Sequence, residues 1–155
     1  MSYDLMVFEP EAAPKEHQAF MRWYFGFTKW NEGHSYNDLS VTSQRLRSWL
    51  VEMQQTYPDM NSLEAADLLP EDDGSLSDYS IGKQAIYACF AWSKAEKAYS
   101  DVFELAAKHG VGFFDVSSAG EEVWMPDNGQ LKQVHQKEPP GLLSRVAKLF
   151  GKKLR

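Results

Sequence analysis

Apolar side chains along the chain fall either into short continuous runs or into stripes that repeat every three or four residues. Ile86 to Val116 shows both. The run Ile86-Tyr87-Ala88-Cys89-Phe90-Ala91-Trp92 is too short and too aromatic for an independent helix, and it predicts a strand buried on both sides. Ala95, Ala98, Tyr99, Val102, Phe103 and Ala106 then recur at helical spacing and form one stripe. Ser93 and Glu96 have the spacing of a capping box at its start. His109 falls in the last turn, Gly110 suits a left-handed C′ position, and Val111 to Val116 predicts the next strand.

The same reading extends in both directions. Tyr3 to Phe8 predicts a short strand ended by Glu9-Pro10. Pro14 suits the first turn of a helix whose stripe is Phe20, Trp23, Tyr24 and Phe27. Trp30 to Asp38 is a polar loop holding two aromatics. Ser40 or Thr42 is expected to cap a second helix, with Leu46, Trp49, Leu50, Met53 and Tyr57 on one face and Pro58 as its stop. Asp59 to Ser77 has no period and reads as a long acidic loop. Tyr79 to Ile81 predicts a short strand turning at Gly82-Lys83. Ser117 to Gly120 and Asp127-Asn128-Gly129 predict turns around strands at Glu122 to Met125 and Gln130 to Val134, Asn-Gly favouring a primed hairpin type.

The resulting order, β-α-α-β(β)-α-β-β, predicts an α+β fold: an antiparallel or mixed sheet with the helices packed on one face, as a ferredoxin-like sandwich. Residues 1–138 form a single domain in this reading. Pro139-Pro140-Gly141 sets off residues 139–155 as a basic amphipathic tail, with Leu142, Leu143, Val146, Leu149 and Phe150 on one helical face. A chain of 155 residues, 43% hydrophobic and 14% aromatic, can bury a core without disulfides or metals. Its single cysteine, Cys89, reads as a small buried hydrophobe. The N-terminus has no basic region followed by an apolar core, so a cytoplasmic, reducing compartment is expected.

Charge changes the picture more than composition does. The net charge is −6, yet the last fifteen residues carry five bases and no acid, which leaves −11 on the preceding 140. Between Ser48 and Gly82 there is no Lys or Arg, against eight acids. Such a body repels nucleic-acid phosphates and attracts basic partners. The tail either docks on that body, remains a solubilising end, or touches a membrane surface.

Motifs for chemistry are sparse. His17, His34, His109 and His135 have neither the spacing nor the cysteine neighbours of a zinc site, so no metal and no cofactor are expected. No nucleophile elbow is present, and Gly110-Val111-Gly112 runs from helix to strand, the reverse of a dinucleotide cradle. Asp67, Glu71, Asp72 and Asp73 form the one carboxylate group with a choice of roles: cation binding, acid–base work, a solvated loop, or a protein-binding patch. His34, between Trp30 and Tyr36, either packs locally or titrates near neutrality.

Several stretches together carry a likeness: Ser2-Tyr3-Asp4-Leu5-Met6-Val7-Phe8, Glu32-Gly33-His34-Ser35-Tyr36, Ser77-Asp78-Tyr79-Ser80-Ile81-Gly82, Tyr87 to Ser93 and His109 to Val116. Over Ser2 to Pro126 the chain resembles a family of small bacterial proteins that look like immunity proteins of polymorphic toxin systems. The resemblance implies a non-enzymatic inhibitor of a cognate toxin domain and supplies no catalytic residues. The expected interface is Asp67, Glu71, Asp72 and Asp73 with Trp30, Tyr36 and His34, facing a basic toxin and not nucleic acid. The alternative is a small ligand-binding domain or enzyme built on the His34 loop.

Overall fold

The computed structural model describes residues 1–62, 67 and 72–137. Glu71 and the tail from residue 139 onward lie outside the described residues. The elements run β1 (Tyr3–Phe8), α1 (His17–Phe27), α2 (Gln44–Met53), β2 (Asp78–Ile81), β3 (Ala85–Phe90), α3 (Ala95–His109), β4 (Gly112–Phe114), β5 (Val123–Asp127) and β6 (Gln130–His135). All strand pairs are antiparallel, in the order β2-β3-β1-β4-β5-β6. The first four strands have the split β-α-β arrangement of a ferredoxin-like sheet, and the β5–β6 hairpin extends it from β4. The expected α+β class holds.

β1 lies at the centre because both of its faces are apolar: Leu5, Met6, Val7 and Phe8 are fully buried. Leu5 and Val7 point to one core, with Leu46, Trp49, Leu50 and Met53 of α2 and Ala98, Val102 and Ala106 of α3. Met6 and Phe8 point to a second core, with Phe20, Tyr24 and Phe27 of α1 and Phe114. The helices therefore do not all share a face. α2 and α3 form the expected layer, and α1 crosses to the other side, where its rings pack on Phe8 and Phe114. Burying each such ring stabilises the fold by roughly 1.5–3 kcal/mol, and the alternation of β1 supplies a second apolar face that only α1 can cover.

Helix starts differ from expectation in three places. Ser93 does not form a capping box: a 3₁₀ turn occupies Trp92–Lys94, the N-cap is Lys94, and no side chain caps α3. Ser93 sits inside that turn rather than at the extended cap position. Ser43, not Ser40 or Thr42, caps α2 through Leu46 N–H, because Leu39–Val41 forms its own 3₁₀ turn capped by Asp38. α1 starts at His17, after Pro14, with the Glu16 carboxylate accepting from the N–H groups of Gln18 and Ala19 at 3.0 and 2.8 Å. Gly110 is left-handed at the end of α3, as expected, and Asn128-Gly129 has positive φ at both positions, as a type I′ hairpin requires.

β3 is buried all along one face and, on the other, only at Ala85. Ile86, Ala88 and Phe90 are buried, whereas Tyr87 and Cys89 are half-buried. α1 runs from His17, beside His135 of β6, to Phe27, whose ring fills the space a Cβ on Gly82 would need. Among the described residues, that path leaves the corner of the second sheet face farthest from the β2–β3 turn uncovered. Cys89 is therefore not the enclosed hydrophobe the sequence suggests.

Candidate docking surface

Past Phe27 the chain turns sharply instead of straightening. Trp30 N–H reaches Phe27 C=O at 3.2 Å, and Trp30, Gly33 and Tyr36 adopt φ of 53°, 82° and 60°. Left-handed backbone at two aromatic residues is costly and persists only when surroundings hold it. Here the Trp30 ring lies edge-on to Phe27, Tyr36 and Tyr87 at 5.3, 5.2 and 5.8 Å. Tyr36 C=O accepts from Ile81 N–H at 2.7 Å, so the loop also closes part of the outer edge of β2. Trp30 nevertheless remains 42% exposed. It is a large apolar ring fixed in place at the surface.

The same loop uses its polar groups internally. His34 Nδ1 accepts from Tyr36 N–H at 3.2 Å, so the ring proton resides on Nε2 and is directed to Glu32 Oε2 at 2.6 Å. That carboxylate also accepts from Lys83 N–H, and Glu32 N–H donates to the Tyr36 hydroxyl. With both nitrogens engaged, His34 has none directed at a ligand. Its position braces the loop that carries Trp30.

The acidic residues divide. Asp67 is exposed. Asp72 Oδ1 accepts from the backbone N–H groups of Gly74, Ser75 and Leu76, shaping its own turn. Asp73 accepts from Ser75 Oγ and pairs with Lys94 at 3.1 Å. Those two bonds, the hydroxyl first, hold its carboxyl down at about 2. Their turn adjoins Ala91, Ser93 and Lys94, beyond the end of β3, while Trp30, His34 and Tyr36 gather at the β2–β3 turn. The structure thus joins the three aromatic-loop residues and separates them from Asp72 and Asp73.

A second acidic group lies closer to Trp30. The Tyr87 ring, edge-on to Trp30, directs its hydroxyl to Asp4 Oδ2 at 2.7 Å. Asp4, Cys89 and Asp78 occupy one register row across β1, β3 and β2 and so share the uncovered sheet face. Burial, then the Asp4 charge, pushes the Cys89 thiol up to about 12, which makes it a poor nucleophile. Sequence reading missed this row because each acid is isolated within its own strand; the alternation Asp4-Met6-Phe8 was the available signal. The structure also brings together two histidines distant in sequence: the rings of His17 and His135 lie 5.3 Å apart, with His17 Nε2 at 3.0 Å from Glu121. Among the described residues no three His, Cys, Asp or Glu side chains converge as metal ligands, and no helix is long and apolar enough to cross a membrane. Comparison with family models, curated proteins and solved structures returns no match.

Proposed function

We propose that the protein is a cytoplasmic immunity-type inhibitor that binds and neutralises a basic bacterial toxin domain. The observation that carries this reading is Trp30, a surface tryptophan held by three rings and a left-handed backbone. Binding hot spots are enriched in such aromatic anchors, and a side chain ordered beforehand loses little entropy when a partner covers it. The acidic body adds steering toward a cationic enzyme, and an inhibitor needs no reactive constellation. Resemblance to immunity proteins over Ser2 to Pro126 supports the same reading. Asp4 and Asp78 are the carboxylates that flank the anchor in this proposal; Asp72 and Asp73 shape their own turn, and Asp67 contributes long-range charge.

The test is co-purification with the product of the adjacent gene and protection of cells expressing it. Trp30→Ala is expected to weaken association by about 2 kcal/mol or more, roughly thirtyfold. Unchanged affinity would remove Trp30 as the anchor. Absence of both binding and protection would remove the inhibitor reading.

A further inference from the structure

The tryptophan loop hangs on a histidine nitrogen that has to stay bare. His34 Nδ1 accepts from Tyr36 N–H, and the ring proton on Nε2 is already committed to Glu32 Oε2 at 2.6 Å. Tyr36 is held left-handed at φ 60°, a strained conformation for a bulky residue that persists only while its surroundings impose it. Three contacts depend on that conformation. Tyr36 C=O accepts from Ile81 N–H, the Tyr36 hydroxyl accepts from Glu32 N–H, and the Tyr36 ring lies edge-on to Trp30.

A second proton on His34 has only Nδ1 to occupy, because Nε2 already carries one. Nδ1–H then faces Tyr36 N–H, donor against donor, across 3.2 Å. The ring cannot turn away from this clash without giving up Glu32, whose same oxygen also accepts from Lys83 N–H at the β2–β3 turn. The titratable and charged groups around the ring are Glu32, Tyr36 and Asp38 of the loop and Lys83 of that turn, with Arg47 of α2 acting on Asp38. A charged ring keeps its pairing with Glu32. What protonation breaks is the bond to Tyr36.

From this geometry we infer that His34 is a proton-operated catch on the docking loop: protonation at Nδ1 releases Tyr36, withdraws its ring from Trp30 and uncovers part of the outer edge of β2. Histidine is the side chain that ordinarily changes charge between pH 5 and 8, so mild acid suffices to open the catch. The closed loop excludes a proton that the open loop accepts, and acid therefore shifts the population toward the open form by the ratio of the two proton affinities. Relief of the left-handed backbone acts in the same direction. The catch goes beyond the inhibitor reading, since it operates in the free protein. Under that reading it also loosens the anchor, because Trp30 loses one of the three rings that hold it.

The experiment follows the full chain by NMR from pH 7.5 down to pH 5.5. At the upper end, the ring-nitrogen shifts of His34 are expected to place its proton on Nε2 and leave Nδ1 bare. As His34 becomes charged, exchange protection of the Tyr36 and Ile81 amides, corrected for intrinsic exchange, is expected to fall by about tenfold or more, while Val102 and Ala106 in α3 keep theirs. His34→Asn is the comparison: its side-chain oxygen can accept from Tyr36 N–H as in an Asx-turn and takes up no proton in this range. Protection of Tyr36 and Ile81 in that variant is expected to be equal at both ends of the titration. Should the variant lose the closed loop outright, the wild-type titration alone decides. A proton on Nδ1 at pH 7.5, unchanged protection once His34 is charged, a fall shared equally by α3, or the same fall in His34→Asn would overturn the inference. No toxin enters these measurements, so their failure leaves the inhibitor reading standing, and failure of toxin binding leaves the catch.

Discussion

Gly112 faces Phe8 across the β1–β4 pair, and a Cβ there would lie 2.3 Å from the Phe8 ring. That ring is backed by Phe20 and Trp23 and has nowhere to move. Gly112→Ala is expected to destabilise the fold by about 1–3 kcal/mol through overpacking, measurable as a lower urea midpoint at unchanged m-value. The cap of α2 offers a contrast within two residues. Ser43 Oγ accepts from Leu46 N–H and donates to the buried Glu9 carboxylate, so Ser43→Ala should cost about 1–2 kcal/mol. Thr42 is buried and its hydroxyl has no partner among the described residues, so Thr42→Val should be neutral or stabilising. Denaturation curves of the two variants side by side check both. Sequence alone offered Ser40 and Thr42 as caps because serine and threonine at neighbouring positions look alike; the choice was made by the intervening 3₁₀ turn and by Glu9, thirty-four residues away.

Among elements, the strands and helices were legible because each carries its own period, and α3 with Gly110 was read nearly to the residue. What the periods did not carry was the side of the sheet each helix takes. Both α1 and α2 present aromatic stripes, and only the burial of both faces of β1 reveals that two layers are needed. The β6–α1 junction was equally illegible, since His17 and His135 are joined only by the fold. Burial, and then the neighbouring His17, lower the His135 pKa, and both of its ring nitrogens are enclosed without partners among the described residues. The folded state therefore binds fewer protons here than the unfolded chain. The associated stability is complete above the unfolded histidine value of about 6.5 and declines as pH falls through it toward the lower folded value. A falling urea midpoint between pH 7 and pH 5 is expected, with a smaller decline in His135→Gln.

For the molecule as a whole, charge asymmetry was fully visible in the sequence, and its placement was not. Runs of acids drew attention to Asp72 and Asp73, whose carboxylates are engaged by their own turn and by Lys94. Asp4 and Asp78, solitary in sequence, come to share one register row only once β2, β3 and β1 pair. If the inhibitor reading holds, association with the toxin should slow several-fold or more between low and physiological salt, while dissociation changes little. Stopped-flow measurements across ionic strength separate the two rates. An association rate independent of salt would remove the steering role of the acidic body.

The bond from Ile81 N–H to Tyr36 C=O spans forty-five positions, and it ties the tryptophan loop to a hairpin made much later in synthesis. A ribosome-bound chain that has not yet released β2 and β3 lacks both the strand that clamps this loop and Tyr87, one of the rings beneath the tryptophan. Under the proposed role, competence against a toxin arises only after roughly the first ninety residues are free to pair. The interval between the start of translation and protection is then set by the assembly of one hairpin, not by the earlier emergence of the aromatic segment itself.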